Sequence, residues 1–338
     1  VVYGTFRPLF YFISILALAS VLGVGGVQVM HGALSIGTLY IFTSYVKSFF
    51  EPIQNLSDQF GTLQAAMAAG EKIFALLDEE PLIREPEQPK VLEAPKGRIV
   101  FDHVWFSYDG EEWVLKDVSF VIEPGQTAAF VGATGAGKSS ILNLIGRYYD
   151  IQKGRITIDG TDIRELDIPS LRRAVGQVQQ DVFLFTGDIQ SNIRLRESAI
   201  SDEAIREAAK FVNADGFISQ LEQGYETAVT ERGSTLSAGQ RQLLSFARTL
   251  AFDPAILVMD EATANIDTET EMLIQDAMER LMAGRTTIVV AHRLSTIQHA
   301  DKIMVMHKGR LREEGTHQEL LQQNGIYKKL YDLQLKHQ

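Results

Sequence analysis

Cysteine is absent from the 338-residue sequence, which excludes a disulfide scaffold, thiol catalysis and cysteine-ligated metal clusters. Basic clusters are scarce as well: none is longer than the pair Arg172-Arg173, and the formal net charge is −11. A nucleic-acid-binding protein usually presents a basic face, so we expect no nucleic-acid partner and interpret the excess acid as solvated surface. The seven histidines are scattered, and neither an internal repeat nor a low-complexity tract is present.

Charged residues are also absent from Leu9 to Val29, a run rich in Phe, Ile, Leu and Val. A helix that crosses a bilayer needs about 20 apolar residues, so this run is long enough to span a membrane. A signal peptide is the alternative, but the run has no clear small-residue cleavage site and another hydrophobic stretch follows it. We therefore predict a membrane span at about residues 9–29.

The second hydrophobic stretch, Ile36 to Phe50, is shorter and is followed by Glu51-Pro52. By itself it fits a buried or interfacial helix as well as a span. Helical patterning resumes from Ile53 to Leu77, and Pro52 is the expected site of a kink. Lys47 either faces water or a partner inside the membrane, or extends toward the boundary near Glu51.

The composition changes after Leu77. Residues Asp78 to Lys96 hold four of the nine prolines among scattered charges, which indicates a semi-rigid extended linker. From Arg98 onward the pattern is globular and of the α/β class. We expect an antiparallel lobe from Ile99 to Ile122, an α/β core that includes Arg155–Ile158, Ala255–Met259, Thr286–Val290 and Lys302–His307, a helical subdomain around Asp202–Phe211 and a closing helix at Gly325–Lys336.

One motif indicates phosphate binding: Gly132-Ala133-Thr134-Gly135-Ala136-Gly137-Lys138-Ser139 matches G-x-x-x-x-G-K-[ST] at every fixed position. An apolar strand pattern, Thr127 to Val131, precedes it, and a helical pattern from Ser140 to Tyr148 follows, which a chance glycine turn does not explain. Glycines let successive N–H groups curl around a β-phosphate. Lys138 would reach the β- and γ-phosphate oxygens, and the Ser139 hydroxyl would ligate Mg²⁺.

Two adjacent acids end a second apolar strand pattern, Ile256 to Met259. Two acids on a surface loop are usually only solvated, but an apolar run that leads directly into the pair argues against that interpretation. Asp260 is placed to hold Mg²⁺ through water, and Glu261 to polarise an attacking water.

A third motif, Leu236-Ser237-Ala238-Gly239-Gln240, stands at the start of an amphipathic helical pattern from Gln240 to Leu250. The simplest interpretation is an ordinary N-cap serine. A helix start also suits an anion, because its free N–H groups and partial positive charge point outward. Beside the two motifs above, this segment indicates contact with a phosphate held by a different polypeptide.

These three motifs, in this order, resemble the nucleotide-binding domain of an ATP-binding-cassette (ABC) protein, and the resemblance covers the whole chain. It implies an aromatic platform for adenine at Tyr108, for which a strand-edge tyrosine is the alternative. It implies that Gln180 touches Mg²⁺ and the attacking water, with Gln179 as a competitor. It also implies that His292, after the strand pattern ending at Val290, holds the γ-phosphate, although a lone histidine is more often structural. The resulting nucleotide-binding set is Tyr108, Gly132, Thr134, Gly135, Ala136, Gly137, Lys138, Ser139, Ser140, Asp260, Ser237, Gly239, Gln240 and Asp267, with Glu261, His292 and Gln180 as catalytic residues.

Two further segments match family elements with departures. Val229-Thr230-Glu231-Arg232-Gly233 resembles the exporter loop that contacts the partner's intracellular helices, although glycine usually stands where this chain has Thr230. Ala264-Asn265-Ile266-Asp267 matches the loop after the catalytic acid, with Asp267 retained and Ala264 in place of a serine.

The resemblance also implies an arrangement in a membrane. The chain looks like the last two membrane helices of an exporter half, at about residues 9–29 and 33–52 with a cytosolic extension to residue 77, a linker at 78–97 and a nucleotide-binding domain at 98–338. Earlier helices are then expected upstream of Val1. ATP and Mg²⁺ place the nucleotide-binding domain in the cytoplasm, beside the cell membrane.

One departure concerns assembly, because the family signature is Leu-Ser-Gly-Gly-Gln and this chain has Ala238 at its first glycine. If that position needs φ > 0 or a close approach to phosphate, the methyl group costs about 1 kcal/mol or more. The hydrolytic groups are all present, so the pattern resembles one subunit of an asymmetric heterodimeric multidrug exporter, with a drug or lipid as substrate. The alternatives are a homodimer that tolerates alanine, an importer, a soluble ABC ATPase of DNA repair or translation, and a membrane subunit without turnover.

Overall fold

The computed structural model describes residues 2–179, 181–230, 233–260, 268–290 and 294–335. The chain forms two compact units, Val1–Pro81 and Leu82–Gln338. Its helices are α1 Val2–Met30, α2 Ile36–Leu77, α3 Lys138–Ile145, α4 Ile168–Ala174, α5 Ile189–Arg194, α6 Asp202–Phe211, α7 Asp215–Ile218, α8 Ala238–Ala251, α9 Thr268–Met282, α10 Leu294–His299, α11 His317–Gln322 and α12 Ile326–Leu335. Its strands are β1 Ile99–Phe106, β2 Leu115–Ile122, β3 Thr127–Val131, β4 Lys153–Ile158, β5 Thr161–Asp162, β6 Val175–Val178, β7 Gly187–Asp188, β8 Ala228–Val229, β9 Ile256–Asp260, β10 Thr286–Val290, β11 Lys302–His307 and β12 Arg310–Gly315.

The first unit consists of the two long helices α1 and α2. Within α1, Pro8–Met30 is long and apolar enough to cross a membrane, a criterion that a signal sequence or the core helix of a soluble protein also meets. It is the one such segment among the described residues. Ser35 starts α2 as its N-cap, since its side chain accepts a hydrogen bond from Thr38 N. The helix α2 continues through Pro52, the expected kink, and ends at Leu77.

The second unit contains a four-stranded sheet in the order β2-β1-β4-β5, in which β1 pairs antiparallel with both β2 and β4. The expected antiparallel lobe is therefore present. The assignment of Arg155–Ile158 to the α/β core is wrong, because Ile156 and Ile158 pair with Phe101 and Ile99 of β1. An apolar pattern predicts a strand, but it does not determine which neighbour supplies the hydrogen bonds.

A six-stranded sheet in the order β12-β11-β3-β10-β9-β6 forms the centre of this unit. The strands β11, β3, β10, β9 and β6 are parallel, and β12 is an antiparallel edge strand. The carboxyl ends of β3, β10 and β9 lie side by side, because Val290 is in register with Phe130 and with Asp260. Ligands of parallel α/β sheets bind at such carboxyl ends.

Each face of the six-stranded sheet is covered by its own hydrophobic core. On β9, Leu257 and Met259 point into the core formed with α5, α6, α8 and α9, while Ile256 and Val258 point into the core shared with the antiparallel sheet and α3. Parallel strands buried on both faces require such a nearly continuous apolar sequence. The predicted fold class, a helical segment followed by an α/β domain with an antiparallel lobe and a helical subdomain, is confirmed.

Candidate functional site: a phosphate loop and a signature helix

The phosphate loop, residues 132–139, connects the end of β3 to α3. Gly132 has φ +151°, and a Cβ at this position would collide with the backbone carbonyl oxygen of Met306. Gly137 has φ +99° and is the N-cap of α3, with no side chain capping the helix. Because Thr134 and Gly135 are exposed while Ala136 is buried, the loop is anchored at its rear and open at its tip. A helix start that lacks a side-chain cap suits an anion.

Lys138 is the first residue of α3, and its side chain bends back over the loop. Only 7% of Lys138 is exposed, and its Nζ donates to Gly132 O at 2.7 Å and Ala133 O at 3.1 Å. Burial lowers the pKa of the Lys138 ammonium, against the opposing effect of Asp260. An anion held beside this ammonium would replace the lost hydration and stabilise its charged form.

Ser139 and Asp260 lie 121 residues apart in the chain, yet Ser139 Oγ donates to Asp260 Oδ2 at 3.3 Å. The fold joins them because β3 and β9 flank β10 and place both groups at the same sheet edge. A hydroxyl and a carboxylate oxygen are ligands of the kind that Mg²⁺ takes, so the donors present fit this ion. Among the described residues no cluster of three or more His, Cys, Asp or Glu forms a metal cage, so phosphate and water oxygens would complete the coordination.

Tyr108 lies in the loop after β1 and is therefore not a residue of that strand. Its ring contacts Phe106 and Tyr149 edge-on, with centroid distances of 4.7 and 4.8 Å. Its hydroxyl lies 3.0 Å from Oγ of the buried Ser140, and Asn143 Nδ2 donates to it at 3.5 Å. With 49% of Tyr108 exposed, this ring stands beside the phosphate loop with surface available for stacking.

The signature segment, Leu236 to Gln240, starts α8 with a complete capping box. Ser237 Oγ accepts from Gln240 N at 3.1 Å, and Gln240 Oε1 accepts from Ser237 N at 2.9 Å. Leu236 is buried in the core, and its carbonyl accepts from Arg241 Nη1 at 2.6 Å. The interpretation of Ser237 as an N-cap is thus correct for this conformation, and the segment is held firmly in place.

Ala238, the departure from the family motif, is the first residue of α8 and is exposed, while Gly239 behind it is buried. Ala238 is absent from the residues with positive φ. The methyl group therefore introduces no backbone strain within this chain. Any effect of Ala238 must arise from close approach to a group outside the chain.

Several predicted residues lie outside the described part of the chain. They are Gln180, Glu231, Arg232, Glu261, Ala264, Asn265, Ile266, Asp267 and His292. Their described neighbours are Val178 at the end of β6, Asp260 at the end of β9 and Val290 at the end of β10. Gln179, the competitor of Gln180, and Thr230 are both exposed.

Sequence reasoning missed three residues that position the site. Tyr149 supports the ring of Tyr108, Asn143 contacts its hydroxyl, and Arg241 holds Leu236. A signal existed only for Arg241, which directly follows the signature segment and lies one helical turn beyond Ser237.

Comparisons with known proteins agree with this geometry. Residues 115–264 match the family model for ABC transporters. The chain is 48% identical over 331 residues to exp8 of Streptococcus pneumoniae, a candidate ABC transporter ATP-binding protein, covering 97% of this chain and 56% of the relative. It is 48% identical over 303 residues to YheH of Bacillus subtilis, a candidate multidrug resistance ABC transporter ATP-binding/permease protein, covering 90% and 45%.

A solved structure of a bacterial Atm1-family ABC exporter with ATP bound is also similar, with a TM-score of 0.74 and 38% identity. The similarity covers 96% of this chain and 56% of the exporter chain. The chain thus spans about half the length of the relatives it matches. Since the motifs, the fold and the comparisons agree, the chain carries the nucleotide-binding domain of an ABC transporter, preceded by helices like those of ATP-binding/permease exporters.

Proposed function

We propose that this chain binds and hydrolyses ATP to drive the export of a small hydrophobic compound across the cell membrane. The observation that carries the proposal is the convergence of Lys138, Ser139 and Asp260 at the carboxyl ends of β3 and β9. A partly desolvated ammonium beside a hydroxyl and carboxylate pair matches the requirements of a magnesium-bound triphosphate.

The residues divide the work as follows. Gly132 to Gly137 present backbone N–H groups to the β-phosphate, and the Lys138 ammonium binds the β- and γ-oxygens. Ser139, Asp260 and Gln180 would hold Mg²⁺, which neutralises developing charge on the phosphates when bound. Glu261 orients the attacking water, and His292 holds the γ-phosphate. Tyr108 stacks on the adenine ring. These assignments rest on the matched motifs together with the described geometry of Lys138, Ser139, Asp260 and Tyr108.

The signature segment serves an ATP molecule bound to a second subunit. Ser237, Gly239 and Gln240 would face the γ-phosphate of the partner's nucleotide, so each site forms between two chains arranged head to tail. Asp267 would lie at the same interface. Closure of the two nucleotide-binding domains, relayed by Gln180 and Glu231, switches the membrane helices from inward to outward access.

An asymmetric heterodimer is the assembly we favour, because the hydrolytic set is complete while the signature carries Ala238. This signature would then cover the slower site, on a partner with an altered catalytic acid. A homodimer of this chain is the second candidate. Purification through a tag on this chain distinguishes them: two polypeptides support the heterodimer, and a single band with two equal hydrolysing sites contradicts it.

The proposed substrate class and location rest on the first unit and on the names of the relatives. The apolar run in α1 favours a membrane location over that of a soluble ABC ATPase, and several relatives are named for multidrug export. Membrane fractionation of the expressed chain tests this point, and recovery only in the soluble fraction would favour the soluble class.

Glu261→Gln tests the hydrolytic assignment. This variant is expected to bind ATP normally, to lose steady-state hydrolysis and to accumulate the closed dimer, because only water activation is removed. Glu222→Gln, at an exposed acid, is the matched control. Hydrolysis by Glu261→Gln at the parent rate would refute the role of Glu261.

A further inference from the structure

A segment that we call the strap, residues 82–98, crosses the surface of the second unit before β1 begins. Polar contacts fasten it at three places. The Arg84 carbonyl accepts from Arg147 Nη2 at 3.0 Å. In the middle, Lys90 N donates to the Glu165 carbonyl at 2.9 Å, and Lys90 Nζ pairs with the Glu165 carboxylate at 2.7 Å. The Leu92 amide, part of the same middle fastening, donates to Ser170 Oγ at 3.3 Å. At the end, three successive amides, of residues 96, 97 and 98, donate to the carboxylate of Asp159.

Apolar packing contributes little to holding the strap. Leu82 is 96% exposed and Val91 is 63% exposed, whereas Leu92 packs partly against the core. Between the second and third fastenings the strap borders a cavity of about 800 Å³, lined by Val91, Leu92 and Pro95 from the strap side. A segment that hydrogen bonds hold over a cavity, with few buried apolar contacts, has the low local stability of elements that open and close.

Arg147 links the first fastening to the phosphate loop. The helix α3 begins at Lys138 in the loop and ends at Ile145, with Gly146 as its C-cap and Arg147 directly after it. The side chain of Arg147 is 3% exposed, and its Nε donates to Asp150 Oδ1 at 2.9 Å. Its backbone has φ +47°, and among the described residues Nη1 has no hydrogen-bond partner.

The backbone conformation and the unpaired Nη1 of Arg147 are both unfavourable, which a residue that only filled space would not require. A left-handed backbone at a residue other than glycine and a buried unpaired N–H each destabilise the folded chain. Asp150 alone would neutralise the guanidinium, yet Nη2 also reaches the Arg84 carbonyl, 63 residues earlier in the chain. Because α3 has only eight residues, it is about 12 Å long; Lys138 is its first residue, and Arg147 follows its C-cap Gly146.

We propose that Arg147 is a positioning residue that fastens the strap to the phosphate-loop helix, so that nucleotide bound at Lys138 and Ser139 tightens the strap. The inference rests on the proposed nucleotide binding. Phosphate at the start of α3 stabilises the short helix and thereby fixes Arg147. By thermodynamic reciprocity, releasing the strap weakens nucleotide binding by the same factor. In the chain, α2 precedes the strap and is covalently connected to it. Fastening the strap is therefore a means by which bound nucleotide could restrain the C-terminal end of α2.

Hydrogen exchange measures the strap directly, because the amides of Lys90, Leu92, Lys96, Gly97 and Arg98 donate the bonds that hold it. In the parent chain, the non-hydrolysed analogue AMP-PNP with Mg²⁺ is expected to slow exchange of these amides roughly fivefold. In Arg147→Met this response should disappear, and analogue affinity should fall by a similar factor. Arg147→Lys, which can reach either Asp150 or the Arg84 carbonyl, should respond partially.

Two further variants separate positioning from simple stability. Arg285→Met removes a guanidinium that also lines this cavity and donates to Leu281 O and Asp253 Oδ1. This control should lower the melting temperature without changing the nucleotide response of the strap. Asp159→Asn tolerates the positive φ of this position and loosens only the third fastening, so it should weaken analogue binding less than Arg147→Met.

The outcomes are distinct. If the parent binds no analogue, both the proposed function and this inference fail. If the parent binds the analogue but strap exchange does not respond, or if Arg147→Met and Arg147→Lys respond as the parent does, the inference alone fails. If Arg147→Met only melts earlier, with affinity and response unchanged, Arg147 is merely structural and the inference also fails.

Discussion

The phosphate loop and the signature segment both lie at the start of a helix, but the backbone N–H groups of the two first turns are capped differently. At α3 the N-cap is Gly137, which offers no side chain to the first turn. At α8 the N-cap is Ser237, and Ser237 and Gln240 satisfy each other's backbone N–H groups. One helix start therefore leaves its first-turn N–H groups open to an external anion, whereas the other is capped within its own chain.

This difference in capping indicates separate roles: the phosphate loop binds nucleotide, and the signature segment contacts a second subunit. The loop backbone already has the conformation that a bound phosphate requires, because Gly132 and Gly137 adopt positive φ. The Lys138 ammonium, which donates to Gly132 O and Ala133 O, would turn toward the phosphate oxygens. At the signature, Ser237 Oγ accepts from the Gln240 amide and can use its O–H to donate to the phosphate that, in our proposal, a second subunit presents. We therefore expect nucleotide binding to be independent of the chain's own signature segment, and hydrolysis to depend on both segments.

The largest expected effect follows from removing the loop ammonium. Lys138→Met should lower ATP hydrolysis on the order of a hundredfold or more, because a preorganised charge at the phosphates is lost. Lys153→Met, at an exposed lysine on the antiparallel sheet, is the control and should hydrolyse at the parent rate. A steady-state hydrolysis rate for Lys138→Met within a few-fold of the parent rate would contradict the assignment of phosphate binding to the loop.

The next effect concerns the metal. Ser139→Ala should lower hydrolysis by roughly tenfold to a hundredfold and shift its Mg²⁺ dependence to higher concentration, because a hydroxyl ligand beside Asp260 is removed. Ser139→Thr retains the hydroxyl and should retain activity. Equal Mg²⁺ dependence in all three chains would remove Ser139 from the metal site.

A smaller effect is expected at the aromatic platform. Tyr108→Ala should weaken ATP binding about tenfold through lost stacking, as measured by titration with a fluorescent ATP analogue. Tyr108→Phe keeps the ring and loses only the hydroxyl contacts with Ser140 Oγ and Asn143 Nδ2, so its affinity should stay within about twofold of the parent. If Tyr108→Phe weakens ATP binding as much as Tyr108→Ala does, the affinity depends on the hydroxyl contacts and not on ring stacking.

The smallest expected effect is on stability at the signature. Ser237→Ala removes an N-cap and should lower the free energy of unfolding by about 1 kcal/mol, measured by urea denaturation. Ser237→Thr keeps the cap and should be close to the parent. An unchanged midpoint for Ser237→Ala would mean that the capping box contributes nothing to α8.

The sequence predicted best what is local. The phosphate loop needs its glycines, its lysine and its flanking strand and helix within a few residues, so its position and the boundaries of β3 follow directly from the pattern. The Ser139 and Asp260 pair was also predictable, although the two residues are distant in the chain, because each belongs to a motif that marks the end of a strand in one sheet.

Contacts that no motif marks were not predictable. The pairing of β4 with β1, the support of Tyr108 by Tyr149 and the reach of Arg147 to Arg84 depend on how separate elements pack. For the proline-rich stretch before β1, the local conformation was predictable but its contacts were not. Its composition predicts an extended linker, but composition does not reveal that Glu165 and Asp159 fasten residues 90 and 96–98 to the second unit.

The central claim is that nucleotide binds at the phosphate loop without the chain's own signature segment, which acts on nucleotide held by another subunit. Equilibrium titration of ATP and Mg²⁺ into the parent, Lys138→Met and Ser237→Ala chains tests it most directly. The account predicts that Lys138→Met loses binding and that Ser237→Ala binds within about twofold of the parent, since its loop is intact. Parent-like binding by Lys138→Met, or an equal loss of binding in both variants, would contradict it.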